Sequence, residues 1–286
     1  MRGTDQVSRR FRARLLPVSI HRDHALILKR TPFGESSLVI QVITASGARV
    51  HVLARGAYRP RSRFYCVLDL FDTLELEWSE RTGASLGLLR KGTLARRRSE
   101  LTRDLDRYQA GLTVLELCRA AARQEKSDRG LYLATEAALE GLQDPSNSSH
   151  AVLVVFQLAF LHNLGLAPAL EACAQCAGPA PALDEERVPF SAGAGGRLCT
   201  PHAREAQASG RRVGTIPESV LECAEHLARC SPSSPPSNSI SDDLIERVRD
   251  LTARFIDFHL ETRLASQRVF LETANRNAPE RGVPTL

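Results

Sequence analysis

Apolar and polar side chains alternate along two short arms, Ser37–Thr44 (SLVIQVIT) and Arg49–Ala54 (RVHVLA), joined through Ala45-Ser46-Gly47. This is a hairpin pattern: β-branched residues bury one face of each arm, and glycine serves the short connection. His24–Thr31 is a further apolar run, and Cys66–Trp78 alternates late in its length, with Leu74, Leu76 and Trp78 set against Glu75 and Glu77. Ser85–Leu94 supplies a fifth candidate strand. Five short strands in about 75 residues predict a small closed barrel, and the OB-fold is the barrel of this size most often used on single-stranded nucleic acid.

From Leu101 the period changes. Leu101, Leu105, Tyr108, Leu112 and Leu115 recur at steps of four and three, which predicts one apolar helix face between Ser99 and Gln124. Arg129–Leu142 reads as a second helix, and His150–Asn163, apolar on nearly every side, as the centre of a bundle ended by Gly165 and Pro168. Ile216–Arg229 is expected to be helical, opened by Pro217, and a last helix after Ser241 is expected to bury Leu244, Val248, Leu251, Phe255 and Phe258. Between these two, the Pro/Ser-rich residues 231–240 read as a flexible insertion. The expected class is therefore α+β in two domains: a basic, disordered extension over 1–23, a barrel over 24–98 and a helical domain over 99–286.

Two pairs of soft ligands stand close together in the helical half. Cys173-Ala-Gln-Cys176 and Cys199-Thr-Pro-His202 are each spaced to bite one ion, and together they make the four-ligand set that Zn²⁺ prefers. The segment between them is rich in glycine and proline and can bury little by itself, so an ion would hold its shape. Four filled positions predict a closed structural zinc module over 173–202, with no place left for a catalytic water. The remaining cysteines, Cys66, Cys118, Cys223 and Cys230, are scattered and demand no disulfides.

Charge divides the chain. Residues 1–98 hold 19 Arg or Lys against 8 Asp or Glu, a balance of +11, whereas the rest hold 19 against 25, a balance of −6. Residues 24–98 alone keep +7, which points to a polyanionic partner for the barrel. The densest stretch follows the hairpin: Arg55, Arg59, Arg61 and Arg63 are interleaved with Tyr58, Phe64 and Tyr65, a composition suited to phosphates and bases. Lys29 and Arg30 on the first strand, and Arg90, Lys91 and Arg96–Arg98 near the last, extend the candidate DNA-binding surface. The longest apolar run, Ala151–Leu161, is too short to cross a bilayer. The Arg-rich start lacks the apolar segment of a secretory signal, so a cytoplasmic protein is expected, although an organellar transit peptide shares that composition.

The order of these features resembles the bacterial recombination mediator family RecO. The resemblance runs through Ala25-Leu-Ile-Leu, Gly34-Glu-Ser36, Thr44–Gly47, Ala54-Arg-Gly-Ala57 and Arg61-Ser-Arg-Phe64 in the barrel. It continues through Leu164-Gly-Leu-Ala-Pro168, Cys173–Cys176, Phe190, Gly195-Gly196 and Leu198-Cys199, and more weakly through Phe258-His-Leu260 and Arg263–Ser266. It implies a non-catalytic protein that binds single- and double-stranded DNA and anneals complementary strands. The implied partners are RecR and the C-terminal tail of the single-strand-binding protein, with which it loads RecA, in association with the nucleoid. The extra first 23 residues, the Pro/Ser stretch and Ala265, where the family often carries Lys, depart from that pattern.

Enzymatic readings find little support. The sequence has no GxxxxGK[ST] or H-E-x-x-H, and His259-Leu-Glu261 follows the CxxC instead of preceding it as in zinc deaminases. The alternative is a zinc-containing protein–protein adaptor in which the arginines are incidental.

Overall fold

The structure, a computed structural model, describes residues 17–64, 66–122, 127–183, 186–236 and 240–260. Five strands open the chain: β1 (Val18–Phe33), β2 (Ser37–Thr44), β3 (Arg49–Ala54), β4 (Thr73–Arg81) and β5 (Gly87–Arg96). They close a barrel in the order β1-β2-β3-β5-β4. Every neighbour is antiparallel except β3 and β5, whose parallel pairs Val52↔Gly87 and Leu53↔Leu88 shut the cylinder. The alternation seen in the sequence fills it: Leu38, Ile40 and Val42 from β2 meet Leu74, Leu76 and Trp78 from β4 in one buried cluster.

The first strand corrects one boundary. Expected from residue 24, β1 begins at Val18, because Val18–Asp23 pair with Arg81–Leu76 along the extended arm of β4. Residues 18–23 therefore belong to the barrel, and the expected extension loses its last six residues; residues 1–16 lie outside the described residues. The fourth strand starts later than Cys66, at Thr73, after a run of turns that carries Phe71 in left-handed backbone (φ 72°). That conformation costs a non-glycine residue roughly 1–3 kcal/mol. It aims the buried Phe71 ring at the helices, edge-on to Tyr108 at 5.5 Å and against Gly111, where a methyl group would lie 2.8 Å from the ring.

A short 3₁₀ turn, Ser99–Thr102, leads into α1 (Leu105–Ala121), α2 (Arg129–Gln143) and α3 (Ser149–Asn163). Each helix starts on a side-chain cap, from Asp104, Asp128 and Ser148 respectively, and these caps place the starts more finely than periodicity did. As predicted, α3 is buried from Ala151 to Leu158 without a break, and it ends at Gly165 (φ 72°), where Leu166 N–H donates to the Leu161 carbonyl at 2.8 Å. The 173–202 region carries β6 (Arg187–Ser191), β7 (Gly196–Arg197) and the start of α4 (Thr200–Ala208); β8 (Gly214–Pro217) joins β6 on its other side. Ile216 is thus in a strand, and the helix α5 runs from Glu218 to Ala228 with Pro217 as its cap position.

Two further expectations change. The Pro/Ser stretch is not a flexible insertion over 231–236: Pro232 and Pro235 are buried, and Ser231 bridges to Ser234. The Pro232 carbonyl sits against Gly141 of α2 so closely that a methyl group there would lie 2.1 Å from it. Residues 237–239 lie outside the described residues. The last helix, α6 (Asp242–Leu260), buries Ile245, Val248, Arg249, Thr252, Phe255 and Ile256, and Phe258 is 56% exposed, so its inward stripe is rotated from the expected one. Thr252 fixes it to α3 by donating to Gln157 at 2.8 Å.

Candidate metal centre and nucleic-acid interface

The ligand atoms of Cys173, Cys176, Cys199 and His202 all lie within 4.8 Å of one another. Local structure explains the convergence. Ala177 in left-handed backbone (φ 55°) turns the first pair, with Ala177 N–H donating to the Cys173 carbonyl at 2.8 Å. Cys199 is the cap residue of α4 and Pro201 occupies its first turn, which brings His202 onto the same side. Ala174 N–H donates to the Arg197 carbonyl at 2.8 Å and so ties the two halves together.

This donor set fits a tetrahedral ion. Zinc bonds of about 2.3 Å to sulfur and 2.1 Å to nitrogen place S···N edges at about 3.6 Å. The Cys173 Sγ–His202 Nδ1 separation of 3.6 Å matches that edge, and that from Cys199 Sγ, 3.0 Å, is shorter than it. Burial opposes the Cys173 thiolate, but amide donors from Cys199, Cys176 and Gln175 outweigh it and bring its pKa down to about 6. The free His202 Nε2 faces Glu205 Oε2 at 4.0 Å, the carboxylate partner that commonly orients a ligating imidazole. Four protein donors would fill the shell of a tetrahedral ion and leave no open position for a substrate.

Arg197 joins the module to the helical core. Nearly buried, it donates to the Ala180 carbonyl at 2.7 Å and to Glu218 of α5 at 2.6 Å.

On the barrel, Arg55, Arg59, Arg61 and Arg63 are all exposed, and no ion pair is seen for any of them among the described residues. Their loop is a chain of turns: Gly56 has φ 66°, Arg59 N–H donates to the Gly56 carbonyl, and Ser62 N–H to that of Arg59. Arg63 lies over the Phe64 ring, 5.1 Å from its centroid. Phe64 is buried as a lid on the barrel core, while Tyr65 lies outside the described residues. Tyr58, 42% exposed, is tethered by its N–H to the Ser36 carbonyl in the turn that follows β1, whose last residue, Phe33, is 57% exposed. Phe33 was not singled out in the sequence; its place at the end of an apolar run next to Gly34 was the available signal.

The other basic candidates divide. Arg30 reaches the loop, lining a cleft of about 410 Å³ with Tyr58, Phe64, Asp69 and Arg97, and pairs with Asp69 at 3.1 Å. Lys29 and Lys91 are exposed on their strands and line no part of that cleft, and Lys91 lies opposite Glu77. Arg98 is withdrawn from any surface: fully buried, it donates to the Phe71 carbonyl, Thr73 and Glu140. Arg96 is held by the same Glu140.

The sequence models of two domain families cover nearly all of the described chain. Recombination protein O N terminal matches residues 18–98, and Recombination protein O C terminal matches residues 102–268. The chain belongs to the RecO family. It is similar to the DNA repair protein RecO of Anaeromyxobacter sp. (strain Fw109-5), with 33% identity over 246 residues, 85% of this chain and 92% of that one. It is also similar to the DNA repair protein RecO of Thermobifida fusca (strain YX), with 27% identity over 255 residues, 88% of this chain and 98% of that one. Membership carries a role in DNA repair and recombination, and the family's two halves meet where the barrel gives way to the helices, between 98 and 102. No helix among the described residues is long and apolar enough to cross a membrane.

Proposed function

We propose that this RecO-family chain binds single- and double-stranded DNA through its barrel, anneals complementary strands and acts without catalysing a reaction. It works with RecR and with the C-terminal tail of the single-strand-binding protein to load RecA. The observation that carries the reading is the loop of four exposed arginines, none held by an acidic group among the described residues, with the exposed ring of Tyr58 in the same loop and that of Phe33 exposed at the end of β1. Free guanidiniums take phosphate oxygens, and rings take bases without regard to sequence. Two phosphodiester strands repel one another, and a surface that neutralises both lowers the cost of bringing them into register.

In this reading Arg55, Arg59, Arg61 and Arg63 are the principal DNA contacts, with Arg30, Lys29 and Lys91 at the margin. Cys173, Cys176, Cys199 and His202 hold a structural Zn²⁺ that fixes the module under α5 and supplies no reactive water. The protein works in the cytoplasm, at the nucleoid.

The test is a salt titration of binding to a single-stranded oligonucleotide by the full chain and its Arg59→Ala/Arg61→Ala/Arg63→Ala variant. Losing three phosphate contacts lowers the magnitude of the log–log salt slope by about 2. An unchanged slope and affinity would favour the adaptor reading, in which the zinc module and helices bind protein and the arginines are incidental.

A further inference from the structure

A second cleft opens at the other end of β3. Arg49 begins that strand and Arg55 follows it, so the two sites are about 20 Å apart along the barrel wall. This cleft has a volume of about 530 Å³, within the usual range for a small-ligand site. Its walls are the first residues of β1, the turn between β2 and β3, and the loop between β4 and β5. It exists because the barrel closes only partway: β1 pairs with β2 from Ala25 onward, and β3 meets β5 only at Val52 and Leu53. Both strands are therefore open beyond those points, where His21 and Arg49 lie.

The lining is arranged for a planar, anionic guest. His21 stacks on Trp78, with centroids 5.4 Å apart and planes inclined by 19°; Trp78 is buried and His21 is exposed. A ring therefore lies open on one side and is backed by indole on the other. The acidic residues of the cleft are occupied locally. Asp23 accepts from the N–H groups of His24 and Ser46, and Glu80 accepts from Trp78 Nε1 at 2.9 Å and lies 3.8 Å from His21 Nε2. Arg22 is likewise committed, to Glu75 at 2.6 Å. Arg49 is different: its Nε is buried with no hydrogen-bond partner among the described residues. Beside it, burial and the Arg49 charge hold the His51 pKa below the ordinary imidazole value, so His51 enters as a neutral hydrogen-bonding group. Ser46, hydrogen-bonded to the buried Thr44 hydroxyl at 2.8 Å, and Ser85 add hydroxyls to the rim.

We propose that this cleft is a second contact for single-stranded DNA: it takes one unstacked nucleotide, the base against the His21–Trp78 pair and the phosphate on Arg49. The inference rests on the DNA-binding reading above and adds to it a site separate from the arginine loop. Two contacts on one barrel let the protein hold a strand by its backbone at the loop while a base is presented, unpaired, at the cleft.

Trp78 is the sole tryptophan of the chain, so its emission reports on this cleft alone. Full-length protein is titrated with oligothymidylate while binding is followed by anisotropy of a labelled oligonucleotide and occupancy by tryptophan fluorescence. Saturable quenching that tracks the anisotropy is expected. Arg49→Ala and His21→Ala should each weaken binding on the order of tenfold, as loss of one stacked or phosphate contact does, and should abolish the quenching. Arg49→Lys should restore part of both. The loop triple variant, brought to saturation at higher oligonucleotide concentration, should still quench. Saturated anisotropy with unchanged emission in the parent protein would overturn the proposal and leave the DNA-binding reading standing. So would Arg49→Ala with unaltered affinity and quenching, or quenching by a short acidic peptide and not by oligothymidylate. Absence of any anisotropy change would overturn the DNA-binding reading itself.

Discussion

Arg98 Nε donates to Glu140 Oε1 at 2.9 Å, across the junction between the last barrel strand and the second helix. The same guanidinium reaches back to the Phe71 carbonyl at 2.7 Å and to Thr73 at 2.9 Å, while its backbone N–H donates to the Asp72 carboxylate at 2.8 Å. One side chain thus holds the Phe71 turn, the barrel and α2 in a fixed relation. Arg98→Met should lower unfolding free energy by about 3–5 kcal/mol, the usual cost of removing one member of a buried ionic network. Urea denaturation checks this. A loss under 1 kcal/mol would mean that apolar packing alone fixes the domains.

Gly47 in the turn between β2 and β3 has φ 88°, and its carbonyl accepts from Asp128 N–H at 3.1 Å. A methyl group at this position would lie 2.1 Å from the Asp128 carbonyl carbon. Gly47→Ala therefore meets both strained backbone and the start of α2. It should cost more than the roughly 1 kcal/mol that Ala gains over Gly elsewhere, with a net loss of about 2 kcal/mol in the same denaturation experiment. Gly34→Ala strains the backbone in the same way with nothing within 4 Å, and should cost less.

The contact of Pro232 with Gly141 gives a local test of the Pro/Ser segment. Gly141→Ala should displace the 231–236 turn from α2 and make it a new site of limited proteolysis, read by mass spectrometry of the early fragments. Equal cleavage in parent and variant would show that docking of this turn does not protect it.

Thiol reactivity should divide the seven cysteines. Burial pushes the Cys118 pKa up to about 12 and raises that of Cys223 as well, so neither should alkylate in the native protein at pH 8. Exposed Cys66 should react freely. With zinc bound, Cys173, Cys176 and Cys199 should be protected; a strong chelator should add three alkylated sites and lower the melting temperature of the helical domain. Chelation that changes neither count nor melting would refute the metal centre.

His150, at the start of α3, has its pKa held below the ordinary imidazole value by burial first and then by the Arg249 charge, against the opposing pull of Asp106, Glu246 and Asp242. The unfolded chain then binds the proton more readily than the folded one. Stability from this group is fully present above about pH 6.5 and is lost as pH falls through the folded value. His150→Gln should flatten the stability profile in the window from about pH 6.5 down to the folded value, measured by denaturation at a series of pH values.

The pattern of residues along the chain was enough for whatever depends on neighbours in sequence. Alternation in Ser37–Ala54 defined the hairpin, because which face a strand buries is set two residues at a time. The unbroken apolar run of α3 declared its central place, and the spacing within Cys173–Cys176 and Cys199–His202 pointed to the four residues that converge in a cluster able to hold an ion, because a chelating turn is built locally. What the sequence could not decide was which distant element each residue would meet. Arg98 reads like its neighbours Arg96 and Arg97, yet it alone is buried, because Glu140 of α2, the Phe71 carbonyl and Thr73 converge on it. The 231–236 segment has a linker's composition, but it docks because Gly141 leaves room for its carbonyl. The His21–Trp78–Arg49 cleft joins three strands whose residues are separated in sequence. Only the closure of the barrel, with its register and its two open strand ends, brings a stacked pair and Arg49, whose Nε has no hydrogen-bond partner among the described residues, into one space.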